Sequence, residues 1–345
     1  MTNSKAISAK IKGMYGKRIK RQDYDLLIAM QGFSPIAHFL HEHPGYGEVL
    51  AAVDVPDIGR VQLEPAIRQS LIRDYNKLFP FVFYEDKEMM NLLVRHVEML
   101  EILSFLRRLR AGHFDRTPLL FAPEFQHKLR IDLPAMLLAR TEEQLLVAAQ
   151  NSVFYPILQH FLVDHAEKFS FTDLELALQS FYYTTLYKSI DNHYKNRLGK
   201  DLKEAFGRRL DLSNITRILR LRTRFTQNPD EVYGYIIPVS YRVKPDFLRN
   251  LLTAADDNAV NQLLLTTPYK ELHNLPDYTQ VERLADSALY QFYKSVLQNK
   301  SPSILHVLAY IRLKELEIKN IINIVECIKY NIPQNEIYNY LVGVN

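Results

Sequence analysis

Residues 316–331 read LEIKNIINIVECIKYN, and their apolar side chains recur at Ile318, Ile321, Ile322, Ile324, Val325 and Ile328. At about 100° per residue these positions share one broad helical face, which predicts a core-facing helix. Glu317 projects into the same arc and Asn320 lies at its edge, so the helix places an acid on the side it buries. The same pattern opens LDLSNITRILRLRTRF (210–225), where Leu210, Asp211, Leu212, Asn214, Ile215 and Ile218 match Leu316, Glu317, Ile318, Asn320, Ile321 and Ile324. A fainter copy lies in VEMLEILSFLRRL (97–109), with Glu98 in the place of the acid and Glu101 in the place of the asparagine.

A second pattern repeats independently. Leu251-Leu252, followed by Tyr269 and Leu272, matches Leu137-Leu138 followed by Tyr155 and Leu158 at the same offsets. Leu26-Leu27 with Tyr46 and Val49 follows after a two-residue insertion. A third pattern is T-x-x-E, Thr279 with Glu282 and Thr172 with Glu175, which predicts a capping box at a helix start. The first copy keeps Glu64 but has Val61 for the threonine, and Pro65 suits a first helical turn.

Each pattern occurs three times, about every 115 residues, in a constant order of leucine-pair hairpin, capped helix and acid-bearing helix. The expectation is an all-α protein of three similar helical bundles, residues 1–115, 116–228 and 229–345. Prolines 118, 123 and 134 punctuate the first junction; Asn228-Pro229 and IIPVSYRVKP (236–245) punctuate the second. Glu98, Asp211 and Glu317 each lie in the apolar arc of a helix. A buried carboxylate needs partners, which a tyrosine hydroxyl, an arginine or the free amides of a neighbouring helix end could supply. A solvated acid near a helix start is the plainer alternative.

Composition agrees with this picture. The 345 residues are 47% hydrophobic, enough for a substantial core, and only 11 are glycine. A net charge of +4 from 43 basic and 39 acidic residues is too balanced to point to nucleic acid. The single cysteine, Cys327, excludes a disulfide scaffold and reads as a small core residue. The basic N-terminus lacks the apolar run of a signal peptide, and no stretch approaches the ~20 apolar residues of a membrane span, so any membrane role is expected to be peripheral.

Candidate chemistry is sparse. Gly-rich phosphate loops, a G-x-S-x-G elbow and a DDxxD motif are absent, and Asp256-Asp257 sits in a turn-like context. His38, His41 and His43 lie near a helix end, where histidines favour the helix dipole; repeated metal-ligand spacing is missing. No catalytic, cofactor or metal residues are assigned. Arg107, Arg108 and Arg110 end the first acid-bearing helix, and Arg217, Arg220, Arg222 and Arg224 occupy the second. These are read either as a solvated helix face or as a docking surface for an acidic protein segment.

E-I-x-N-I-x-x-I at 317–324, D-L-x-N-I-x-x-I-L-R at 211–220 and the leucine-pair motif ending in Tyr-x-x-Leu resemble the C subunit of the bacterial and archaeal V/A-type ATPase (ATP synthase), whose eukaryotic relative is the d subunit of the V-ATPase. The resemblance covers nearly the whole chain and is strongest over 136–225 and 250–342. One departure is Val239-Ser240 after Pro238, where the family often has paired glycines. The resemblance implies three bundles in a pseudo-threefold funnel and a non-catalytic role at the cytoplasmic face of the membrane. It implies a socket between the D and F proteins of the central stalk and the proteolipid rotor ring, coupling ATP hydrolysis or synthesis to H⁺ or Na⁺ transport. It implies no cofactor, nucleic acid or small-molecule substrate. An all-helical repeat adaptor outside any ATPase is the competing reading.

Overall fold

In the computed structural model, residues 2–51, 58–112, 128–164, 170–222, 234, 236–273 and 280–344 are described. Among them the regular structure is entirely helical, with no strand. Among the described residues the helices of nine residues or more are α1 (Thr2–Gly16), α2 (Arg21–Ala29), α3 (Phe33–Glu42), α4 (Arg60–Leu78), α5 (Lys87–Arg110), α6 (Phe171–His193), α7 (Arg197–Arg222), α8 (Pro245–Thr253), α9 (Asp257–Leu265), α10 (Val281–Asn299) and α11 (Ile304–Lys329). Two compact units form. One comprises Met1–Val94, Ser104–Ala148 and Tyr290–Asn345; the other comprises Arg95–Leu103 and Ala149–Leu289.

In the first unit, the final long helix α11 packs against α4 and α1, near the other end of the chain. Leu27, Ile36, Leu40, Leu63 and Ile67 form one core with Ile321, Ile324 and Val325. All eight are fully buried. The first half of α11, Ile304 to Lys314, is buried on every side. Its sequence ILHVLAYIRLK is apolar almost all round, as an enclosed helix requires.

Helix starts differ in detail from the sequence expectation. The box at α6 is Ser170 with Asp173, two residues before Thr172 and Glu175: Asp173 N–H donates to Ser170 Oγ at 3.1 Å and Ser170 N–H to Asp173 Oδ2 at 3.2 Å. Serine with an acid three residues on offers the same reciprocal bonds, and the chain turns at the earlier pair. Helix α4 starts after Gly59, whose N–H donates to Gln62 Oε1. Glu64 instead pairs with Arg60, and Pro65 falls in the second turn. Thr279 lies outside the described residues. Asp256 is the N-cap of α9, accepting from Ala259 N–H at 2.8 Å.

The pair Leu251-Leu252 is buried, but the other two leucine pairs are displaced. Leu27 and Ile28 face the core, while Leu26 is 54% exposed. In the middle copy Leu133 and Met136 are buried and Leu138 is 66% exposed. A one-residue shift on a helix rotates a side chain by about 100°, which decides burial.

Candidate functional site: two carboxylate clasps

Glu317 and Asp211 anchor two similar polar clusters, one in each unit. The Glu317 carboxylate accepts from Ile19 N–H (3.0 Å), the Tyr46 hydroxyl (2.6 Å) and Lys314 Nζ (2.6 Å). Lys314 also lies 3.7 Å from the centroid of the Tyr46 ring. Burial and the Glu317 charge push the Tyr46 hydroxyl well above its ordinary pKa, so it remains a donor. Asp211 accepts from the backbone N–H groups of Tyr241 (3.0 Å), Arg242 (2.7 Å) and Val243 (3.1 Å), and from the Tyr269 hydroxyl (2.8 Å). Burial pushes the Asp211 carboxyl up, and these donors pull it part of the way back.

The two clusters share a local plan. Ile19 immediately precedes the N-cap of α2, and Val243 immediately precedes the N-cap of α8. Each acid therefore ties off the chain at the entrance to a short helix, and each takes the hydroxyl of the tyrosine that follows. Asn320 and Asn214 repeat a second device. Val342 N–H donates to Asn320 Oδ1 (2.9 Å) while Asn320 Nδ2 donates to Val342 O (2.8 Å). Ile237 N–H donates to Asn214 Oδ1 and Asn214 Nδ2 to Ile237 O, both at 3.0 Å. Only an amide side chain can both accept from and donate to one residue's backbone in this way. Asp211 takes all four donors from the following sequence third, and Glu317 takes Ile19 and Tyr46 from the first third beside Lys314 from its own, so the thirds are not self-contained at these contacts.

Gly207 makes room for the Asp211 clasp. A Cβ there would stand 2.3 Å from Tyr241 Cγ and 2.4 Å from Tyr241 Cβ. The segment after Pro238 is thus drawn onto α7 without paired glycines.

Glu98 is also buried, at 1% exposure, but its surroundings differ. Phe154, not Tyr155, occupies the buried aromatic position: its N–H donates to Ser152 Oγ as Tyr269 N–H donates to Thr267 Oγ1. Phenylalanine offers no hydroxyl, and Glu101 cannot donate to a carbonyl as asparagine does.

The scaffold pattern is matched by a family. The model of the ATP synthase (C/AC39) subunit matches residues 7–340. The chain belongs to the ATP synthase (C/AC39) subunit family. Its relatives include the C subunit of the A-type ATP synthase of Methanosphaera stadtmanae, 22% identical over 97% of this chain and 86% of the relative. The corresponding A-type ATP synthase C subunit of Archaeoglobus fulgidus is 23% identical over 97% of this chain and 95% of its own length. As in the sequence reading, no helix among the described residues is long and apolar enough to cross a membrane.

Within this C/AC39 chain the arginines of α7 do not share one environment. Arg217 is half-buried and donates to Gln179 Oε1 at 3.0 Å. Arg222 donates to Leu251 O at 3.2 Å. Arg220 is exposed and pairs with Glu282 at 3.3 Å. Arg224 lies outside the described residues. In the first copy Arg110 pairs with Glu142 at 2.7 Å. His38 and His41 are exposed. His43 is turned inward, stacks on Phe39 and accepts from Gly45 N–H through Nδ1. Among the described residues no group of three His, Cys, Asp or Glu could hold a metal ion.

Proposed function

We propose that the chain is a non-catalytic central-rotor subunit of a V/A-type rotary ATPase. In this reading it is a socket between the D and F proteins of the central stalk and the membrane proteolipid ring, and it carries torque between ATP hydrolysis or synthesis and H⁺ or Na⁺ transport. It would sit at the cytoplasmic face as three related bundles in a funnel. Family membership supports the rotary assembly. The observation that carries the mechanical part is the Glu317 clasp, in which α11 is bonded to the N-terminal Ile19–Tyr46 module. Arg21 adds a bond from Nη1 to Val344 O at 2.7 Å. A coupling must resist local opening under load, and a buried charge-assisted network that ties distant sequence together raises the cost of such opening.

The test is direct binding. Purified chain is mixed with the D–F pair and, separately, with detergent-solubilised ring. Stable complexes with each alone are expected; failure to bind either would remove the socket reading. The α7 arginines are assigned to the stalk-facing surface, with Arg220 the exposed member. Reversing charge at Arg220 and Arg222 should weaken D–F binding while the helical circular dichroism persists, and unchanged affinity would take the arginines out of the interface.

A further inference from the structure

The first unit contains a cavity of about 480 Å³ between α1, α2, α4, α10 and α11, and its lining is strongly basic. Nine cationic side chains line it against two carboxylates, Asp74 and Glu317. Four of the nine have carboxylate partners, Arg21 with Asp25, Arg73 with Asp74 and Glu48, Lys77 with Glu48 and Lys314 with Glu317, and the two lining acids are already engaged. Glu317 is held in its clasp, and Asp74 receives the Tyr310 hydroxyl and lies 3.4 Å from Arg73. Lys10, Lys17, Lys20 and Lys294 line the cavity, and the described residues place no carboxylate within ion-pair distance of them. Lys10 and Lys294 lie over the rings of Phe81 and Tyr290 instead. Arg73 adds a guanidinium whose buried Nε makes no hydrogen bond among the described residues.

Concentrating like charge in a concave, partly desolvated site is unfavourable unless an anion relieves it, and such a site focuses potential on an incoming one. The size suits a small ligand more than a folded partner. We propose that this cavity binds a phosphate-bearing anion, either a soluble di- or triphosphate or the headgroup of an anionic phospholipid. The lysine ammonium groups and Arg73 would donate to its phosphate oxygens. This proposal does not rest on the rotor reading.

The test uses the full chain at low ionic strength. Isothermal titration with inorganic pyrophosphate forms one arm. Co-sedimentation with phosphatidylcholine vesicles, with and without phosphatidylglycerol, forms the other. The variant is Lys10→Glu with Lys294→Glu, with its fold checked by circular dichroism. Saturable pyrophosphate binding that weakens by ~100-fold in the variant supports a soluble ligand, since each lost charged contact is worth roughly tenfold. Binding only to phosphatidylglycerol vesicles, lost in the variant, supports a headgroup. If the reversal unfolds the chain, Lys10→Gln with Lys294→Gln carries the same test, with a loss of at least ~10-fold expected. Absence of binding to both probes, or equal binding by a folded variant, overturns the proposal.

Discussion

Replacing Glu317 with glutamine keeps the side chain's shape and removes its charge. The carboxylate now serves three donors, one of them the Lys314 ammonium, which is itself 6% exposed. A hydrogen bond to a charged group contributes ~1.5–3 kcal/mol. Glutamine retains one carbonyl and points an N–H group at the remaining donors. Two charge-assisted bonds are lost, and a buried ammonium is left without its counter-ion. The expected cost is ~3–5 kcal/mol, in line with breaking other buried pairs by removing one partner. That is a large part of the ~5–15 kcal/mol that holds a typical domain folded. Helix α11 itself supplies a local probe in Cys327, the chain's single cysteine, which is 6% exposed. Its alkylation rate under native conditions reports opening of this unit separately from global unfolding in urea. Both readouts should show the loss in Glu317→Gln. Adding Lys314→Met removes the stranded charge and should recover a substantial part of it. A single-variant loss below ~1 kcal/mol, or a double variant no better than the single, would refute the account of Glu317 as a charge-dependent clasp.

Asn214→Ala and Asn320→Ala each strand a buried backbone N–H and C=O, so each should cost ~2–4 kcal/mol in urea titrations, and Asn323→Ala, which loses an exposed bond to Tyr340 O, much less. Gly207→Ala pushes a methyl group into Tyr241 and draws the 241–243 amides from Asp211; a loss of ~1–3 kcal/mol is expected, strongly non-additive with Asp211→Ala in a double-mutant cycle. Burial depresses the pKa of His43 and of His306 below the ordinary imidazole value, overcoming the opposing Asp23 charge at His43. The unfolded chain then binds protons that the folded chain refuses. Stability is present above about pH 6.5 and falls as pH drops below it. The slope of urea midpoint against pH should flatten in His43→Phe.

The helical class was legible because apolar residues recur at helical spacing and glycine is scarce; those signals depend on the chain alone. The acids at 98, 211 and 317 stood out for the same reason, as charges within apolar arcs. Their donors did not. Ile19, Tyr241, Arg242 and Val243 contribute backbone amides, and every residue except proline carries one, so residue type gives no clue. Tyr46 and Tyr269 were visible as a repeated tyrosine, but the spacing that picked Tyr155 in the middle copy was off by one, and the buried ring is Phe154. A phase shift also turned Leu26 outward, and a shift of two residues placed the capping box at Ser170. Over a few residues, loop insertions shift the phase by an amount that sequence alignment within one chain does not fix. Lys314 and Arg312 were missed because charged residues on a long helix usually reach solvent; here the half of α11 that carries them is enclosed on all sides.

The phase of the clasps bears on how such a repeat holds together. If each acid bonded donors within its own third, the thirds could open independently. Instead Asp211 reaches forward to residues 241–243 and 269, and Glu317 reaches across the chain to Ile19 and Tyr46. Removing α11 would therefore take away more than a final helix. It would take Ile318, Ile321, Ile324 and Val325 out of the core they share with Leu27, Ile36, Leu40 and Leu63, and leave the entrance to α2 without its acceptor. Each fully buried leucine or isoleucine contributes ~1.5–3 kcal/mol, so losing the helix forfeits more than the N-terminal module has to spare. The N-terminal module cannot be stable by itself; expressed without residues 304–345, it should show no cooperative urea transition.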